Sequence, residues 1–318
     1  MAQSEKLNCK DAFFHYGIEI PRRFQPSEKD FFLRKAALFF KEHAYPVSYI
    51  TNTKKGIKAA NLIVGDPQTA NTIVIARYNT PAHNFGNPYL YYPFDGTASV
   101  QSRILPTYTP AIIAMLVIIY MLWQWNAFLD FSRHPFISSI MTIVLILATI
   151  SSYILTGSIG NAINLNDNTS GVVGIMLIAQ ELIPAARKHV AFILTDSNGH
   201  AGDALNRTII SDIDHKNIII LDCIGHGKEN RIGYQRASKK LASEIADDLA
   251  ASTQLVDGSA LRFSSFSYYP SGVLISRTSG AGHVVENSGT KKDAVVDTEA
   301  VTDLSLALSR YLNRIFKN

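Results

Sequence analysis

Five places along this 318-residue chain carry side chains whose types bear on metal-assisted chemistry: Arg77, Asp167, the pair Asp196-Ser197, Asp222 and His283. Two metal ions about 3.5–4 Å apart, together activating a water and polarising a carbonyl, need a bridging carboxylate, further carboxylate or histidine ligands and a carboxylate base. Asp167, Asp222 and His283 are of ligand type. Arg77 and Ser197 are not, because a guanidinium stays protonated with no lone pair to give and a neutral hydroxyl is a poor zinc ligand.

The elements that must position these residues read as alternating strands and helices. Short apolar runs at 61–64, 72–76, 190–194, 218–221 and 273–275, bounded by Gly, Pro, Asn or Asp, have the pattern of strands buried on both faces. Helical patterns occupy 27–43, with Ser27 and Asp30 offering the N-cap and an acidic first turn, and 171–183, 238–251 and 298–316. In the last of these, Val301, Leu304, Leu308, Tyr311, Leu312 and Ile315 form one apolar stripe. This alternation predicts an α/β fold, a three-layer α/β/α sandwich on a mixed, mostly parallel sheet. Ligands gather at the carboxyl ends of strands in such sheets. Arg77, Asp196 and Asp222 each end a predicted strand, Asp167 precedes a helix, and His283 lies in the loop before the final helix.

The motifs around these positions resemble, in order, those of the dizinc aminopeptidase family, which also includes glutamate carboxypeptidases, glutaminyl cyclases and the transferrin-receptor ectodomain. Asn166-Asp167-Asn168-Thr169-Ser170-Gly171 is similar to the bridging-aspartate motif. Thr72-Ile73-Val74-Ile75-Ala76-Arg77-Tyr78-Asn79 looks like the entry strand that ends in His-Tyr-Asp, with Arg77 in the ligand slot and Asn79 behind it. Phe192-Ile193-Leu194-Thr195-Asp196-Ser197-Asn198-Gly199-His200-Ala201-Gly202 resembles the strand ending in Glu-Glu-x-Gly-x-x-Gly. That register sets Asp196 at the general-base position and Ser197 at a ligand position. Leu221-Asp222-Cys223-Ile224-Gly225 resembles the next ligand strand, and His283 with Asn287 the closing ligand region.

By this resemblance one zinc would be held by position 77, Asp167 and Asp222, and the other by Asp167, position 197 and His283, with Asn79, Asn168 and Asn287 behind them. Each metal loses one ligand. The resemblance therefore implies a degenerate site that binds a peptide or a membrane-protein partner without hydrolysis, Arg77 serving as a fork-shaped counter-ion to Asp167 and Asp222. Its alternative is an active membrane-bound metallopeptidase with an unusual or single-metal site, to which His83, His200 or His226 could contribute. Zinc is the implied cofactor of the second reading, and none of the first.

Between the first and second of these places lies a region of a different kind. Residues 104–129 contain no charge, and after a short link neither do residues 135–166. About 20 mostly apolar residues span a bilayer as a helix, so 110–129 and 136–156 predict an inserted transmembrane hairpin, with no regular counterpart in the family. The chain then divides into one discontinuous domain, 1–103 and 158–318, and the hairpin 104–157. The loop between the spans carries only Arg133 against Asp130, and residues 1–10 have no apolar signal segment. Both place the main domain on the cytosolic side of an integral membrane protein. Two cysteines exclude a disulfide framework, and the net charge of +4 comes from scattered Lys and Arg, so no nucleic-acid footprint is present.

Overall fold

The computed structural model describes residues 6–54, 57–83, 90–123, 135–153, 159–196, 201–210, 213–280 and 282–317. The strands are β1 (Val47–Lys54), β2 (Ile57–Val64), β3 (Thr72–Arg77), β4 (Val190–Thr195), β5 (Asn217–Leu221), β6 (Glu229–Tyr234), β7 (Ser252–Leu255) and β8 (Gly272–Thr278). The α-helices are α1 (Cys9–Phe13), α2 (Pro26–Glu42), α3 (Gly96–Trp123), α4 (Pro135–Tyr153), α5 (Ser170–Glu181), α6 (Pro184–Arg187), α7 (Ala201–Ile209), α8 (Lys239–Leu249) and α9 (Thr298–Ile315).

One eight-stranded sheet runs in the order β1-β2-β4-β3-β5-β8-β6-β7. Its centre, β4-β3-β5-β8, is parallel, whereas β1, β2 and β6 join antiparallel neighbours. Strands from both sides of the helical insertion share this sheet. The central strands are buried along their length, and successive side chains of a strand serve opposite faces. Val74, Ala76, Phe192, Leu194, Ile219 and Leu221 pack under α2, α5, α8 and α9. Ile73, Ile75, Ile193, Ile218 and Ile220 meet a second core that includes Phe94, Ile210, Phe266 and Tyr269.

The start of α2 differs from the expected cap. Gln25 is the N-cap, reciprocally bonded with Glu28, and Pro26 takes the first helical position, so Ser27 already lies inside the helix. At the other end of the chain Asp297 caps α9 by accepting the Ala300 amide.

The insertion is a pair of helices packed on one another, α3 against α4. α3 begins at Gly96, so the expected domain boundary at 103 falls inside a helix rather than between elements. Ile113, Leu116, Ile119, Ile143, Ile146 and Leu147 stand more than half exposed. Among the described residues no helix is long and apolar enough to cross a membrane, and the far ends of the two expected spans, 124–129 and 154–156, lie outside those residues.

Candidate functional site

The site is built on two turns that lock together. Residues Leu165–Thr169 form a wide helical turn leading into α5. The backbone amides of Asn166 and Asp167 donate to Asp293 Oδ1 at 3.1 Å and Oδ2 at 3.3 Å. Asn166 Oδ1 accepts from the Gly225 amide, and Ser170 Oγ accepts from the Ile224 amide. The turn that carries Asp167 is therefore stapled to the turn that follows Asp222. Close approach needs Gly171, where a Cβ would lie 2.7 Å from the Leu221 carbonyl oxygen.

At the end of β5, Asp222 is buried, and Cys223 follows in a left-handed conformation with φ +53°. This turn directs the thiol between the two carboxylates: Cys223 Sγ is 3.7 Å from Asp167 Oδ1 and 3.6 Å from Asp222 Oδ1. The remaining oxygens have their own partners. Asp167 Oδ2 accepts from Ser288 Oγ at 2.9 Å, and Asp222 Oδ2 accepts from Tyr91 Oη at 2.5 Å. Arg77, ending β3, brings Nη1 to 3.9 Å from Asp222 Oδ2 and donates from Nη2 to Ser265 Oγ at 2.7 Å. The expected fork onto both carboxylates is thus not formed: one arm faces Asp222 and the other is held by Ser265.

The electrostatics follow from burying like charges together. Burial, and then the neighbouring Asp222, raise the Asp167 carboxyl above its ordinary range. Burial and Asp167 raise Asp293 to about 9. Burial alone would lower Arg77, but Asp222, Tyr91, Asp203 and Asp167 outweigh it and hold the guanidinium above its usual value. Cys223 is pushed well up by burial and by both carboxylates, so it stands as a thiol. A fully buried base, Arg23, lies behind Asp167. Arg23 donates to the Tyr16 carbonyl, Asn164 Oδ1 and Thr169 Oγ1, and burial lowers it to about 9 against the pull of Asp167 and Asp293.

The other sequence-predicted positions go elsewhere. Asp196 is fully buried and paired with Lys29, whose Nζ lies 2.9 and 2.7 Å from its two oxygens, while its backbone amide donates to Asn61. The predicted base position is therefore committed to an ion pair with α2. His283, at φ +49°, faces Glu229 at 3.5 Å rather than the group around Asp167. Asn168 is buried in the Asp167 turn, and Asn287, at φ +66°, supplies its carbonyl to Thr290. Asn79 lies half-buried two residues past Arg77. Ser197 and His200 lie outside the described residues. His83 bonds to Asn161, where the chain returns from the helical hairpin. Sequence reasoning missed Lys29, Cys223 and Arg23. Of these, only Cys223 carries a local signal, being adjacent to Asp222.

Among the described residues, position 77 supplies a cation rather than a ligand, Asp196 is held by Lys29 and His283 faces Glu229. One smaller group does have ligand chemistry. Single ligand atoms of Asp167, Asp222 and Cys223 all lie within 4.8 Å of one another, and thiolate with carboxylates is a set that zinc accepts.

No family model matches this chain, and no curated protein sequence matches it. Solved structures do. Porphyromonas gingivalis glutaminyl cyclase superposes with a TM-score of 0.59 at 13% identity over 97% of this chain and 98% of that one. A Zn-dependent exopeptidase from Parabacteroides distasonis gives 0.58 at 12% identity, covering 99% and 100%. The LapA aminopeptidase of Legionella pneumophila gives 0.54 at 11%, covering 98% of this chain and 72% of its own. At such identities the likeness concerns architecture. The chain has a zinc-exopeptidase-like fold.

Proposed function

We propose that this chain is a membrane-anchored protein of zinc-exopeptidase-like fold in which Arg77 stands where a metal would, and which acts by binding a peptide or membrane-protein partner rather than by hydrolysis. The observation that carries the reading is the Arg77 guanidinium, its side chain 17% exposed, 3.9 Å from the buried Asp222. A buried carboxylate beside a half-buried one favours a counter-charge, and Arg77 supplies it from the ligand slot itself. The ion pair of Asp196 with Lys29 supports the same reading, because a base already neutralised by a buried ammonium is poorly disposed to take a proton from water.

A second reading rests on the Asp167, Asp222 and Cys223 group: an atypical aminopeptidase-type hydrolase with one metal. Those three residues would hold the ion, and a bound zinc would supply Lewis-acid polarisation of a carbonyl. Elemental analysis and an aminopeptidase assay on the wild type and on an Arg77→His/Ser197→Glu variant separate the two. Zinc gained only by the variant supports the binding reading. Stoichiometric zinc with activity in the wild type refutes it in favour of the hydrolase.

Membrane anchoring rests on α3 and α4. The uncharged stretches 104–129 and 135–166, and the exposed apolar side chains that water would penalise by about 25 cal/mol per Å², favour insertion of the hairpin into lipid. The chain on either side of the two helices then forms one discontinuous domain on a single side of the bilayer, the cytosolic side by the charge of the connecting loop.

A further inference from the structure

We infer that Tyr91 closes this site as a tethered plug, and that the first turns of α3, the base of the helical hairpin, set whether the plug is seated. The inference holds whatever solvent surrounds the hairpin and whether or not a metal binds.

Tyr91 lies in the strap of residues 90–95 that leads into α3. Its hydroxyl donates to Asp222 Oδ2 at 2.5 Å, on the opposite side of that carboxylate from Cys223. The strap is docked by a two-residue antiparallel bridge: the Tyr91 amide donates to the Val285 carbonyl at 3.1 Å, and the Val285 amide to the Tyr91 carbonyl at 2.8 Å. Among the described residues, these two main-chain bonds are the ones made by Tyr91 itself.

Among the described residues the strap is further restrained by Phe94, buried in the second core, and by α3. Ser99 Oγ accepts from the Tyr92 amide at 2.8 Å and donates to the Tyr92 carbonyl at 2.9 Å, and Ser102 Oγ donates to the Leu90 carbonyl. The backbone on both sides of Tyr91 is thus tied to the helix by side chains one turn apart. The same helix base also reaches the other partner of Asp222. At Gly96 a Cβ would lie 2.0 Å from the Arg262 carbonyl oxygen, and Thr97 Oγ1 donates to the Ser259 carbonyl at 2.6 Å. The helix therefore rests on the segment that leads directly into Ser265, which holds Arg77.

A helix rising 1.5 Å per residue makes α3 a lever about 42 Å long, with Ser102 about 9 Å along the axis from Gly96. A tilt of about 10° at Gly96 moves Ser102 by about 1.5 Å, which exceeds the tolerance of a hydrogen bond. Motion of the hairpin would thereby unseat Tyr91 and expose Asp222, while the bulk of the sheet stays unchanged. A strap serving only to stabilise a loop would have no such dependence on the helix.

The test uses the full-length chain in one lipid or detergent environment. It compares wild type, Tyr91→Phe and a Ser99→Ala/Ser102→Ala variant, which leaves every group in the site intact. Amide exchange at Tyr91 and Val285 reports strap docking. In a Cys9→Ser background, the rate at which a small alkylating reagent labels Cys223 reports access to Asp222. The serine variant should accelerate both by about tenfold, the scale expected for losing a net bond or two, with β5 amides exchanging as in wild type. Tyr91→Phe should accelerate the labelling similarly. Wild-type rates in the serine variant, acceleration confined to Tyr91→Phe, or equal loosening of β5 would each overturn the inference.

Discussion

Replacing Lys29 by methionine tests the charge accounting of the whole site, because it removes one buried cation and changes little in volume. Lys29 and Asp196 have side chains only 8% and 0% exposed, and both carboxylate oxygens lie within 2.9 Å of the ammonium. At such a separation an effective dielectric of about 20 gives an attraction of roughly 6 kcal/mol before desolvation is charged against it. Stripping a buried carboxylate of its cation typically costs about 3–5 kcal/mol, a large part of the roughly 5–15 kcal/mol by which domains are stable. Removing both charges is close to neutral, since neither ion then needs to be desolvated. Lys29→Met should therefore lower the urea-unfolding free energy, followed by far-ultraviolet circular dichroism, by about 3–5 kcal/mol. Lys29→Met/Asp196→Asn should recover most of that loss, giving a coupling energy of about 2 kcal/mol or more. A loss below about 1 kcal/mol in Lys29→Met, or a double variant no more stable than the single one, would refute the pairing and return Asp196 to the cleft as a base.

Two further outcomes follow from the same structure. Asp293 is raised from 3.8 to about 9 in the folded chain, so the native state holds a proton that the unfolded chain releases. Its contribution to stability is full below about pH 4 and is lost progressively as pH rises to about 9. The stability of wild type minus that of Asp293→Asn should decline across this window, and a difference independent of pH would contradict the assignment. Membrane insertion is read by flotation: the full-length chain should stay with phospholipid vesicles after alkaline carbonate washing, and a chain with 104–157 replaced by a short Gly-Ser linker should not. Full-length protein in the carbonate supernatant would rule out the anchor.

Central strands were legible from the sequence for a simple reason. Burial on both faces demands continuous apolar runs, as in β3, β4 and β5. The edges were not. β1 reads Val-Ser-Tyr-Ile-Thr-Asn-Thr-Lys and β6 Glu-Asn-Arg-Ile-Gly-Tyr, polar segments at or near the margin of a sheet where apolar periodicity is weak. The site divides in the same way. Asp167, Asp222 and Arg77 could be aligned because each ends or begins an element with its own pattern. Lys29 could not, since its partner lies 167 positions away and nothing local marks a lysine on a helix as buried. The side-chain directions of Cys223 and His283 follow from left-handed backbone at each, a property that no residue type other than glycine announces.

The three bases near the site, Arg23 and Lys29 buried and Arg77 partly so, come from separate pieces of the chain: the stretch before α2, α2 and β3. Each has its own acid or acids, Asp167 with Asp293, Asp196, and Asp222 respectively. A metal ion compensates clustered carboxylates only while it is bound, and its loss leaves them repelling one another. A base fixed by the chain cannot leave, and placing it costs desolvation once, during folding. Three such bases on three elements supply fixed counter-charge to carboxylates whether or not a metal is bound. Their retention alone is therefore no sign of catalysis. The groups that discriminate are the two whose chemistry the bases do not absorb, the Cys223 thiol and the Tyr91 hydroxyl, both directed at Asp222.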